Sequence, residues 1–291
     1  MFEKFYTDKF DNTDVIRTYS SSINFKELKL LISSAVQIVK NKKQNIVISE
    51  NDNFNFLIKF FACIFAEKNI YLLPDLKKLS DLKVDYDLFN DSDFNPAAMK
   101  AEFPEIDPNA PVINFFTSGT SSKSKIIQKS LFNLITEAQD FCIECGIKEK
   151  TVISSVSMQH LFGMTFHLMM PLYSNSIIYT PSILYPDNIN IKNAVLVSSP
   201  AFLSRIEKYS IKLETPPECI ITAGSKLDDK VFEYLADFTD VIEIYGSTET
   251  GIIAGKRQPY LPFKLFNNVD ALSKDNNTEI ASPYIYDKKI S

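Results

Sequence analysis

The chain has 291 residues, 45% of them hydrophobic, and a formal net charge of −5. That length suits one large domain, or two smaller ones, with a substantial core. The negative balance gives no electrostatic case for nucleic acid, and the three arginines, Arg17, Arg205 and Arg257, weaken any case for bidentate recognition of many phosphates.

No apolar run reaches the length of a membrane span. The N-terminus, Met1-Phe2-Glu3-Lys4, leads into polar residues instead of a signal-peptide core. Cys63, Cys142, Cys145 and Cys219 sit in apolar contexts, which predicts reduced thiols and a cytoplasmic protein.

Residues 1–22 carry little pattern. Asn24 with Glu27 suits a capping box, and Phe25, Leu28, Leu31, Ile32, Ala35, Val36 and Val39 then repeat at helical spacing. A strand follows over 45–49, an apolar helix over 53–66 and a strand over 70–73. Helix, strand, helix, strand is the rhythm of an α/β layer with a mostly parallel sheet. The polar, proline-bearing stretch 74–111 reads as a long connection with a short helix or two. A strand over 112–116 runs into Thr117-Ser118-Gly119-Thr120-Ser121-Ser122-Lys123-Ser124-Lys125. Ile126-Ile127-Gln128 looks like a short strand. Ser130 caps a helix with the stripe Leu131, Leu134, Ile135, Ala138, Phe141, Cys142 and Cys145, stopped by Gly146.

Beyond it, strands are expected over 152–156, 177–179, 194–197, 219–222 and 241–245. Helices are expected over 161–172, 200–208 and 228–238. The tail from Arg257 reads as strands and turns.

The 117–125 stretch offers backbone N–H groups, hydroxyls and ammonium groups to one small volume, the chemistry of a phosphate cradle. An ordinary polar surface loop has the same composition. A Walker loop does not fit, because its second glycine position is Ser124 and Lys125 is followed by Ile126. Three of the seven glycines, Gly119, Gly224 and Gly246, fall in the strand-terminal loops 117–125, 223–225 and 245–249. Ligands of open α/β sheets bind outside the carboxyl ends of strands. Tyr245-Gly246-Ser247-Thr248-Glu249 joins a ring that can stack on a base, hydroxyls for phosphate and a carboxylate for Mg²⁺.

Four segments, in order, resemble the adenylate-forming enzymes: acyl- and aryl-CoA synthetases, adenylation domains of peptide synthetases and luciferase-like ligases. Thr117-Ser118-Gly119-Thr120 with Lys125 resembles their nucleotide-loop motif, and Tyr245-Gly246-Ser247-Thr248-Glu249 their second signature. Gln159-His160-Leu161-Phe162-Gly163 is similar to the segment beside the acyl pocket. Ala223-Gly224-Ser225 is similar to the adenine loop. The resemblance spans about residues 20–285.

It implies an α/β fold of stacked, mostly parallel sheets with surrounding helices. It also implies ATP-Mg²⁺-dependent conversion of a small carboxylic acid to an acyl-adenylate, with transfer to CoA or a carrier-protein thiol. By resemblance, Thr117, Ser118, Gly119, Thr120 and Lys125 hold the outer phosphates, and Ala223, Gly224, Ser225 and Tyr245 frame adenine. Glu243 accepts from the adenine amine, Thr248 touches the α-phosphate and Glu249 binds Mg²⁺. His160 borders the substrate carboxylate, and Gly163 and Gly246 leave room for the acyl chain.

Ser122 and Ser124 depart from the family loop, which carries glycine and proline there. No Thr-Gly-Asp match follows Thr278-Glu279-Ile280-Ala281-Ser282-Pro283. The small C-terminal domain with its catalytic lysine is therefore expected to be missing, with weak turnover unless it acts in trans. A non-catalytic nucleotide- and acyl-binding or regulatory module is the competing reading. Two residue sets are assigned to packing: Cys142 and Cys145, on the helix stripe, and His167, inside an apolar run.

Overall fold

The computed structural model describes residues 1–90, 102–110, 112–117, 125–185, 191–211, 213–274 and 277–286. The helix Phe25–Lys40 opens as its sequence dictates. Asn24 accepts from the Glu27 backbone while Glu27 reaches back to the Asn24 N–H, so two otherwise orphaned donors are satisfied. The next helix, Asn53–Phe65, is apolar all round and buried on nearly every side. Such a helix has no solvent face and must be enclosed. Burying one phenylalanine such as Phe61 contributes about 2–3 kcal/mol.

Five strands form one sheet in the order Asp87–Leu88, Asn45–Ile48, Asn69–Leu72, Val112–Thr117 and Lys125–Ser130. The first four run parallel and the last is antiparallel. The second sheet has nine strands, in the order Lys264–Leu265, Gly251–Lys256, Asp240–Ser247, Cys219–Thr222, Ala194–Ser198, Thr151–Ser154, Ile177–Tyr179, Asp14–Arg17 and Ser22–Asn24. Its six central strands are parallel, and antiparallel strands close both edges. Asp270–Lys274 and Asn277–Ala281 make a small separate ribbon.

Alternation along the strands sorts the core. Val195 and Val197 join a large cluster with Ile46, Ile48, Ile70, Leu72 and the helices Phe25–Lys40, Asn53–Phe65 and Leu131–Cys145. Ala194 and Leu196, on the opposite face, pack with the helices Pro200–Lys208 and Asp229–Ala236. The two sheets thus share one core and carry helices on both sides.

Several elements differ from expectation. Residues 1–22, read as patternless, contain the strand Asp14–Arg17, which pairs with Ile177–Tyr179. Gly251–Lys256, not anticipated, returns antiparallel to Asp240–Ser247, so 245–249 is a strand end and hairpin turn. The expected helix over 161–172 is a helical turn, Leu161–Gly163, then a π-helix, Met164–Met169, then an α-helix, Met170–Ser174. The cysteines and His167 pack as read. Cys142 is buried, and His167 is fully buried with Nε2 2.9 Å from the Tyr179 carbonyl. Among the described residues no helix is long and apolar enough to cross a membrane.

Candidate active site

Strands from both sheets deliver the anticipated segments to one place. Val112–Thr117 ends at Thr117, Cys219–Thr222 leads to Ala223 and Gly224, and Asp240–Ser247 leads to Thr248 and Glu249. These meet His160 around a cavity of about 630 Å³. It lies at the carboxyl ends of parallel strands, where an α/β sheet leaves room for a ligand. Ser118, Gly119 and Thr120 lie outside the described residues. Their flanks, Thr117 and Lys125, are paired partners on adjacent antiparallel strands, and Thr117 Oγ1 donates to the Lys125 carbonyl at 3.4 Å.

Polar groups gather on the open side. Lys125 Nζ lies 3.1 Å from Glu249 Oε1, with the lysine side chain 62% exposed. An ion pair this exposed stabilises by at most about 1 kcal/mol, so Lys125 is free to turn to a phosphate. Desolvation pushes the Glu249 carboxyl up, but hydrogen bonds from its own backbone, Lys125 and Ser247 outweigh it and leave the pKa below the ordinary value. Glu249 is therefore anionic at neutral pH. Ser247 and Thr250 fix the turn around it: each backbone N–H donates to the other's hydroxyl at 3.2 Å.

One carboxylate with neighbouring hydroxyls fits Mg²⁺, which is usually held by one or two carboxylates plus substrate phosphates. Among the described residues no cluster of three His, Cys, Asp or Glu forms a self-sufficient metal cage. Lys125 and Glu249 also line a second cavity of about 610 Å³, beside Tyr71, Asn114 and Gln128.

The inner walls are apolar: Phe115, Phe116, Leu161, Phe162, Phe166, Ile244 and Ile252. Phe166 comes from the π-helix, a wide turn often found at functional sites. His160 lines the cavity while partly exposed. Desolvation, followed by the charge of Lys78, lowers its pKa, so the ring is neutral at pH 7. Buried Gln159 anchors this segment, exchanging two hydrogen bonds with the Glu50 backbone at 3.1 and 2.6 Å.

Glu243 is buried and is not part of the cavity lining: its Oε1 takes the Leu227 N–H at 2.7 Å, and its Oε2 pairs with Lys256 at 3.1 Å without a hydrogen bond. Gly163 does not line the cavity; a Cβ there would meet the Ser157 carbonyl at 2.1 Å, so this glycine admits neighbouring backbone, not an acyl chain. Gly246 does line the cavity, yet a Cβ would meet the Gly251 carbonyl at 2.4 Å, so hairpin closure is what demands glycine. Ser225 and Tyr245 are exposed beside the cavity, not in its wall, and the Tyr245 ring is 60% accessible.

Two buried ions were not anticipated. Lys129 Nζ donates to the carbonyls of Glu249 and Tyr284 at 2.9 and 2.6 Å. Glu137, in the cavity wall, accepts from Ile252 N at 2.8 Å and Thr165 Oγ1 at 3.0 Å. Burial lowers Lys129 to about 8, against the opposing charges of Glu137 and Glu249. Burial raises the Glu137 carboxyl, against Lys129 and both hydrogen bonds.

The described geometry matches known proteins in fold. ATP-bound MatB from Rhodopseudomonas palustris superposes with a TM-score of 0.82 at 15% identity, over 98% of this chain and 70% of that one. Wild-type E. coli MenE, bound to a phenylether-linked analogue of OSB-AMS, gives 0.79 at 13% identity, over 94% and 66%. A malonyl-CoA ligase with methylmalonyl-CoA and AMP bound gives 0.77 at 15% identity, over 98% and 72%. No curated protein sequence matches the chain. The family model for the AMP-binding enzyme matches residues 30–276, and the chain belongs to that family.

Proposed function

We propose that this chain binds ATP with Mg²⁺ and activates a small carboxylic acid as its acyl-adenylate, releasing pyrophosphate. CoA or a carrier-protein thiol then accepts the acyl group. One observation carries this reading: the Lys125–Glu249 pair, with its lysine exposed, lines a largely apolar cavity that also takes in Thr117, Thr248 and His160. A cation for phosphate, a carboxylate for the metal and an apolar chamber for the acid are the parts that adenylate formation needs.

Adenylation is an in-line attack of a carboxylate oxygen on the α-phosphorus, so the protein's work is positioning and charge neutralisation. Thr117 and Lys125 hold the outer phosphates, together with Ser118, Gly119 and Thr120. Thr248 orients the α-phosphate. Neutral His160 borders the attacking carboxylate without placing a second charge beside it. Tyr245 offers its accessible ring to adenine, with Ala223, Gly224 and Ser225 at its edge. Glu249 would hold Mg²⁺, which would offset phosphate charge.

Lys125 is the lysine that lines this cavity among the described residues. The resemblance implies a second lysine, on a small C-terminal domain, that bridges the substrate carboxylate and α-phosphate. Pyrophosphate exchange with a panel of aliphatic and aromatic acids tests the proposal. Exchange by the chain, alone or with such a domain added, is the expected result. ATP-Mg²⁺ binding without exchange under either condition would support a non-catalytic binding module instead.

A further inference from the structure

Glu137 is an unusual wall for an acyl chamber. It is 2% exposed, yet it lines the cavity beside Phe162, Phe166 and Ile252. The helix Leu131–Cys145 places it there at helical spacing from Leu134 and Phe141, on the buried face, whose other polar residue is Asn133 one turn earlier. Its site is built around it. Gly251 has φ +73°, and a Cβ at that position would lie 2.9 Å from Glu137 Oε1. Glycine there leaves the room that the carboxylate fills.

Two donors reach this carboxylate, the Ile252 N–H and the Thr165 hydroxyl, one on each oxygen. A carboxylate has about four acceptor positions, so it retains capacity toward the cavity. A buried carboxylate with one bond on each oxygen can still take a ligand's donor on a second lone pair. Lys129, buried on the preceding strand, already sets a positive charge in Glu137's surroundings. A neutral donor therefore completes the site better than a second cation.

Resting on the ligase reading above, we propose that Glu137 selects the acid: a substrate with an apolar or aromatic body and a hydroxyl at the end away from its carboxylate. The body lies against Phe162, Phe166 and Ile252, and the hydroxyl donates to Glu137. Sites built to bond a substrate hydroxyl discriminate strongly against the analogue that lacks it.

The test uses non-hydrolysable acyl-sulfamoyl adenosines in pairs differing only by a terminal hydroxyl. Straight-chain and aryl series of graded length are titrated by calorimetry, with a terminal-amine arm for each. At the matching length the hydroxyl analogue is expected to bind at least about tenfold tighter than its parent. That preference should shrink in Glu137→Gln and vanish in Glu137→Met. Thr165→Val, which removes one existing donor, should leave the preference in place. Equal affinity within every pair of the wild-type protein overturns the inference and spares the ligase reading, and so needs no variant to fold. Tighter binding of the amine than of the hydroxyl overturns the neutral-donor assignment. Failure of every analogue to bind overturns the ligase reading itself.

Discussion

Lys125 and Lys129 lie four residues apart on one strand, and both reach Glu249, but they are built for different work. Lys125 pairs with the Glu249 carboxylate and is mostly in water, whereas Lys129 is fully buried and holds the Glu249 backbone carbonyl. The exposed contact is cheap to open, as a phosphate clamp must be. The buried contact is costly to lose, because its removal strands two carbonyls and leaves Glu137 without its nearby positive charge. One residue is thus fixed by its main chain and available by its side chain.

The sharpest way to break this contrast is Lys129→Met, expected to cost about 3 kcal/mol of stability. The midpoint of urea unfolding reads it, and a shift no larger than that of Lys125→Ala would erase the distinction. Next comes Gly246→Ala, which drives a Cβ to 2.4 Å from the Gly251 carbonyl. About 2 kcal/mol of destabilisation is expected, together with weaker ATP binding, since the strained hairpin carries Thr248 and Glu249. Unchanged stability would mean that the hairpin yields easily.

Lys125→Ala should do the reverse. Stability moves by no more than about 0.5 kcal/mol, while ATP-Mg²⁺ affinity falls tenfold or more, as expected for one charge-assisted contact of about 1.5–3 kcal/mol.

The last effect is a pH dependence. Lys129 titrates at about 8 in the folded chain, mainly through burial, against an ordinary value of 10.5. Between those values the unfolded chain binds more protons, so this lysine's contribution to stability increases with pH. The stability gap between wild type and Lys129→Met should therefore widen above pH 8. Differential denaturation at pH 7 and pH 9.5 checks it, and a constant gap contradicts it.

Local signals carried much of the fold. The Asn24 capping box, the Ser130 cap, the Gly146 stop and Pro200 at a first helical turn all stand where the sequence put them. Asp14–Arg17 escaped notice because four residues carry little periodicity and their parallel partner lies more than 150 positions away. The π-helix escaped because apolar spacing over 161–172 reports a buried helix without revealing its hydrogen-bond register.

At the site, what chemistry and order led one to expect, and the structure shows, is that Lys125, Thr248 and Glu249 line one cavity. The burial of Glu243 was not legible, because strand alternation does not reveal that a buried lysine, Lys256, lies on the neighbouring strand. Glu137 and Lys129 were missed although a signal existed. Each is a charged residue at a position whose spacing, from Leu134 and Phe141 or from Ile127, assigns it to a buried face.

Calorimetric titration of ATP with and without Mg²⁺ into wild-type protein, Lys125→Ala and Glu249→Gln, with unfolding midpoints recorded alongside, bears most directly on the proposed site. Wild type should bind with an affinity that Mg²⁺ strengthens. Lys125→Ala should bind at least about tenfold more weakly, and Glu249→Gln should lose the Mg²⁺ enhancement, with both variants unfolding near the wild-type midpoint. No binding by the folded wild-type protein, or equal binding by all three, would contradict the assignment of this cavity to ATP.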